Sequence, residues 1–109
     1  MPDVIKLIMA ELKEALEKIY GSRLKKLVLF GSHARGDARV DSDVDFLVVL
    51  DTKIDPIDVC GEIKRMSYDV YELILKYDKT ISVIPVSEER YCSSQLSFLS
   101  NARDEGIAA

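Results

Sequence analysis

Two apolar runs, Leu27-Val28-Leu29-Phe30 and Phe46-Leu47-Val48-Val49-Leu50, most constrain what this chain can fold into. Both are short and dense in branched aliphatic side chains, the pattern of strands buried on both faces. The strands are read as Arg23 to Phe30 and Asp43 to Leu50, joined by residues 31 to 42. That segment is too short for a crossover helix, so antiparallel pairing is expected. It is rich in Gly, Ser, Asp and Arg, with periodicity for no more than one helical turn.

Helical patterns flank the pair. From Asp3 to Tyr20, Ile5, Ile8, Leu12, Ala15, Leu16 and Ile19 recur at helical spacing, with charged residues opposite. Asp3 is a candidate cap, and Gly21 offers the left-handed residue that ends a helix. Asp55-Pro56 reads as a helix opening, aspartate as cap and proline at the first helical position, with Asp58 in the first turn. Its expected buried stripe is Ile57, Cys60, Ile63, Val70, Ile74 and Tyr77, ending near Asp78. Thr80 to Val86 is a third strand, and Pro85 places it near an edge or cuts it short. No element is assigned to the polar stretch Glu88 to Gln95, and Leu96 to Glu105 reads as a closing helix stopped by Gly106. The order α-β-β-α-β-α predicts an α+β fold: helices covering a small mixed sheet whose first two strands are antiparallel.

At 109 residues, with no repeat or linker, a single domain over 1–109 is expected. The net charge of −4 and pI near 5.0 argue against a duplex-coating nucleic-acid binder, and no nucleic-acid partner is expected. Cys60 and Cys92 are widely spaced without a CxxC pattern, as expected of reduced thiols in a cytosolic protein. No apolar stretch approaches the roughly 18 residues of a membrane span, and the N-terminus lacks signal-peptide order. A cytoplasmic protein with no membrane partner is expected.

Chemistry concentrates where the first two strands meet. Antiparallel neighbours bring Gly31-Ser32, at the end of one, beside Asp43 and Asp45, at the start of the next. Alternation along a strand points both carboxylates to one face, roughly 7 Å apart. Like charges so close raise one carboxyl's pKa unless a cation intervenes. Mg²⁺ suits such a pair, since it takes one or two carboxylates and completes its octahedron with phosphate oxygens and water. Gly31 permits close backbone approach, and the N–H groups after it can receive phosphate. Ser32 adds a hydroxyl donor, and Arg35 a guanidinium suited to phosphate or to a loop ion pair.

Gly31-Ser32, ten residues, then Asp43-x-Asp45, with Gly36 and Ser42 in place, resembles the DNA polymerase β superfamily of nucleotidyltransferases. The short length is similar to its minimal members in bacteria and archaea. The core resemblance covers about residues 24 to 50 and extends more weakly through Thr80-Val86 and the closing Phe98 to Gly106. It implies the nucleotidyltransferase fold, a nucleoside triphosphate (ATP first among them) bound with Mg²⁺, and transfer of a nucleotidyl group to a hydroxyl. Asp43 and Asp45 would be the catalytic pair holding metal; Gly31, Ser32, Arg35 and Ser42 would bind nucleotide. The family further implies a separate helical HEPN-type partner, in some members a toxin disarmed by AMP addition, within a homodimer or hetero-oligomer.

One position departs from that pattern. The superfamily expects a third carboxylate on the later strand, and Ser82 stands at the matching place, although Asp78, Glu88 and Glu89 lie near that strand's ends. A neutral hydroxyl is a poor Mg²⁺ ligand. Two further readings follow: a catalytically weakened nucleotide-binding module that neutralises or scaffolds a helical partner, and an interaction protein that ignores nucleotides. His33, the only histidine, is expected to face solvent or phosphate. Ser42 can also brace the approach to the second strand. Tyr68, Tyr71, Tyr77 and Tyr91 read as core or interface aromatics.

Overall fold

Strand alternation divides the molecule into two apolar layers with one sheet between them. The computed structural model describes residues 2–39, 41–51 and 58–109, leaving aside the Phe98 side chain. Helix α1 (Asp3–Tyr20) leads into a 3-10 turn and strand β1 (Leu24–Phe30). A single-turn helix α2 (Ser32–Arg35) precedes β2 (Val44–Leu50), followed by α3 (Val59–Tyr77) and β3 (Ile81–Ser87). Helices α4 (Glu88–Ser93) and α5 (Ser97–Glu105) and the two-residue strand β4 (Ile107–Ala108) complete it.

The sheet order is β3-β2-β1-β4. As the short loop requires, β1 and β2 are antiparallel, with Phe30 opposite Asp45 and Leu29 opposite Phe46. Strand β3 lies parallel to β2, bridged by α3, and pairs with it from Val44↔Ile81 through Leu50↔Ser87. Its place at the sheet edge is where Pro85 is tolerated. On β2, Phe46, Val48 and Leu50 face α1 and α3, packing with Ile8, Leu12, Leu16, Met66 and Leu73. Leu47 and Val49 face the opposite way, meeting Tyr91, Leu99 and Ala102 of α4 and α5.

Several local expectations need correction. Pro2 occupies the α1 cap position and its carbonyl accepts from Ile5 and Lys6, so Asp3 is a first-turn residue. There its carboxylate still complements the helix dipole. Asp58 is itself the cap of α3, its Oδ1 accepting from the Gly61 N–H at 3.1 Å. The expected opening at Asp55-Pro56, with Ile57, lies outside the described residues. The buried row of α3 is Glu62, Met66, Val70 and Leu73, so Cys60 and Ile63 fall beside it and are exposed. Helix α4 occupies the polar stretch left unassigned; Ser87 Oγ accepts from the Arg90 N–H, and Glu88 and Glu89 sit in its first turn. Tyr91 is buried, Tyr77 is half-buried, and Tyr68 and Tyr71 are exposed.

Candidate functional site

The candidate residues converge at the end of the sheet where β1 stops and β2 and β3 begin. Gly31 has φ 78° and ψ −155°, a backbone conformation essentially confined to glycine. A Cβ placed there would stand 2.7 Å from Asp45 Oδ2. The glycine is therefore required twice, by its dihedrals and by the carboxylate lying against it. From this corner the chain winds one turn of helix: Ala34 and Arg35 N–H donate to the Gly31 carbonyl, both at 3.1 Å. The Ser32 and His33 N–H groups open that turn, where no intrahelical acceptor exists.

Asp45 is half-buried on β2, between Phe30 of β1 and Ser82 of β3. Its carboxyl pKa is raised, first by burial and then by the negative charge of Asp43, while His33 and Arg35 pull it back down. These influences place Asp43, exposed and one residue ahead of β2, within electrostatic reach of Asp45. Repulsion of this kind is what a divalent cation relieves, and a hard cation prefers carboxylate oxygen. Among the described residues no three His, Cys, Asp or Glu side chains group as a metal cage. Two carboxylates suit an ion that takes its other ligands from phosphate and water, so the donor set fits Mg²⁺ carried by a nucleotide.

Arg35, half-exposed, pairs with Asp37 at 3.3 Å and Glu105 at 4.0 Å. Exposed ion pairs are weak, so the guanidinium is easily recruited by a phosphate. Ser42 is held in its loop: its Oγ accepts from Arg39 N–H at 2.8 Å and its own N–H donates to the Arg39 carbonyl. That hydroxyl still has a proton to give. Ser82 is the β3 neighbour of Asp45 in the parallel ladder, and even-numbered Ile84 and Val86 on its strand share the α4–α5 face. A neutral hydroxyl thus sits laterally beside the acidic corner.

His33 departs from the sequence expectation. It is 8% exposed, and its Nε2 lies 3.3 Å from the Ser42 carbonyl oxygen. The sequence held a signal only in retrospect: one helical turn after a glycine corner swings the second residue inward.

A sheet of this order, with a glycine corner facing a strand-borne carboxylate, defines an α+β fold shared with nucleotidyltransferases of known structure. A crystal structure from Sulfolobus solfataricus, of a protein whose nucleotidyltransferase name marks an inferred activity, aligns with TM-score 0.52 at 21% identity. The alignment covers 99% of this chain and 86% of that one. A toxin–antitoxin crystal structure with AMP-PNP aligns with TM-score 0.58 at 18% identity, over 89% of this chain and 68% of that one. Sequence carries the comparison further. Residues 9–92 match the nucleotidyltransferase domain family, and the chain belongs to that family. It is a minimal nucleotidyltransferase. Two proteins of Methanocaldococcus jannaschii, both named as protein adenylyltransferases by inference, are similar along most of their length. One is 40% identical over 98 residues, 88% of each chain. The other is 32% identical over 100 residues, 92% of this chain and 93% of the relative. Membership implies a nucleoside triphosphate substrate and, typically, a divalent metal.

Proposed function

We propose that this protein transfers AMP from Mg²⁺-bound ATP to a hydroxyl on a partner protein, a helical HEPN-type toxin that the transfer disarms. The close approach of Asp45 Oδ2 to Gly31 carries this reading, because it sets a carboxylate suited to a metal against a turn suited to phosphate. The names of the Methanocaldococcus relatives support a protein acceptor, and the toxin–antitoxin neighbour supports the antitoxin role. The HEPN identity rests on the sequence resemblance. The reading takes residues 1–109 as one cytoplasmic domain that works in a homodimer or a hetero-oligomer with its partner.

In this reading Asp43 and Asp45 hold Mg²⁺. The Ser32 and His33 N–H groups and the Ser32 hydroxyl receive triphosphate oxygens. Arg35 leaves Asp37 for phosphate, and Ser42 keeps Asp43 in place or donates its hydroxyl. The acceptor oxygen attacks the α-phosphorus, a new P–O bond forms, the bond to the β-phosphate oxygen breaks, and pyrophosphate leaves. The ion would neutralise charge on the triphosphate as it is displaced. The acceptor's proton goes to solvent in this reading, because the later strand offers the Ser82 hydroxyl at the place where the resemblance implies a carboxylate.

Incubation with Mg-ATP and a HEPN-type protein from the same genome should add one AMP mass to that protein. Asp43→Asn or Asp45→Asn should abolish the addition. Tight nucleotide binding with no adduct would sink the transfer reading. The position of Ser82 beside Asp45 favours a second reading, a nucleotide-binding module whose chemistry has weakened. It expects both asparagine variants to neutralise the partner fully. Ser82→Asp should lower the Mg²⁺ concentration needed for half-maximal nucleotide binding several-fold, and an unchanged requirement would remove Ser82 from the metal's surroundings.

A further inference from the structure

We propose that His33 is a positioning residue, clamping the carbonyl of Ser42 so that the Asp43 carboxylate is delivered to the glycine corner. The proposal rests on the Mg²⁺-nucleotide reading above and assigns a role to a side chain that reading leaves idle.

The ring is buried, with its Nε2 3.3 Å from the Ser42 carbonyl oxygen. A carbonyl oxygen only accepts, so Nε2 carries the proton. Ser42 is the residue immediately before Asp43 and, among the described residues, is otherwise tied backward to Arg39 by two short-range hydrogen bonds. Those bonds close the loop on itself without fixing it against the sheet. The His33 bond instead spans nine residues and joins the loop to α2, which is anchored to β1 through Gly31. Asp43 is exposed and one residue ahead of β2: on its sheet side the Val44 N–H donates to the Thr80 carbonyl at 2.8 Å, and on its loop side the His33 bond holds Ser42. The histidine supplies the constraint on the loop side, so that Asp43 is held from both of its neighbours. Among the described residues Nδ1 of the same buried ring has no hydrogen-bond partner, so the Ser42 carbonyl is the ring's one hydrogen-bond partner there. Burying a ring nitrogen without a partner costs free energy that an apolar ring of the same size would avoid.

His33→Phe keeps ring volume and removes the donor, whereas His33→Gln keeps an N–H near the position of Nε2. In the ligand-free protein, amide hydrogen exchange should be about fivefold faster across residues 41–43 in the Phe variant, the effect of losing one hydrogen bond of ordinary strength. The Gln variant should stay within about twofold of wild type. Calorimetry with a non-hydrolysable ATP analogue should then show the Mg²⁺ requirement rising about fivefold in the Phe variant alone. Metal-free binding should be equal in all three proteins. Equal loop exchange in wild type and the Phe variant, or equal losses in the Phe and Gln variants, would overturn the proposal. Wild type that binds no Mg²⁺-nucleotide while the exchange pattern holds would instead overturn the functional reading and leave the clamp standing.

Discussion

At the corner of β1 a single hydrogen atom stands in for a side chain, and the site depends on it. Gly31→Ala would place a methyl 2.7 Å from Asp45 Oδ2 in a backbone region that alanine avoids. We expect a loss of about 1–3 kcal/mol in urea unfolding, with nucleotide binding weakened beyond what stability alone explains. A fully stable alanine variant would contradict the geometry. Asp45 gives a second test. Burial and Asp43 raise its pKa in the fold, so the native state holds this proton more tightly than the unfolded chain does. For a raised carboxyl the associated stability is present below the unfolded-state pKa and is lost as pH climbs through the folded value. In metal-free protein, Asp45→Asn should therefore match wild type at acid pH and gain on it as pH rises. The comparison is read from melting curves across the acid range, and a constant difference would be the contrary result. Adding Mg²⁺ should shrink the gap, since the cation takes over from the proton.

Elements owe their limits to a few side chains. Asp58 caps α3, and Asp58→Ala should destabilise by about 1 kcal/mol, with Asp58→Asn much closer to wild type. Equal losses in the two variants would mean that the side-chain cap does not hold that turn in solution. Helices α1, α3 and α5 and the first three strands are readable from apolar patterning, and the antiparallel β1–β2 pair follows from loop length alone. The limits of that reading are physical. Helix α4 carried its own signal, Ser87 as cap with Glu88 and Glu89 after it, but it is too short for apolar periodicity to register. Strand β4 has only Ile107 and Ala108, and pairing with Leu29 and Val28 creates it, which no local pattern encodes. Cys60 and Ile63 look buried at helical spacing, yet α3 turns a different row, Met66, Val70 and Leu73, toward the sheet. The juxtaposition of Gly31 with Asp45 was legible because it needs only two strands. His33 was not, because its inward turn depends on α2 forming.

For the whole molecule, a ligand that binds only the folded state must raise its stability. A hundredfold excess of Mg²⁺-triphosphate over its dissociation constant adds about 2.7 kcal/mol. For a chain this size that is roughly 10 °C in melting temperature. Chelating the metal should return the melting point to that of the free protein, and a shift that survives the chelator would locate binding elsewhere. The two apolar layers meet only across the sheet, on opposite faces of β2. Its partnership with β3 runs rung by rung over seven positions. Sliding that ladder by one rung would bring Ile81 or Val83 alongside Asp45, a greasy neighbour where a hydroxyl now stands, and the strand's outward and inward sides would trade places. The polarity of the acidic corner is thus a property of alignment between two backbones, protected by every apolar contact that keeps them from slipping.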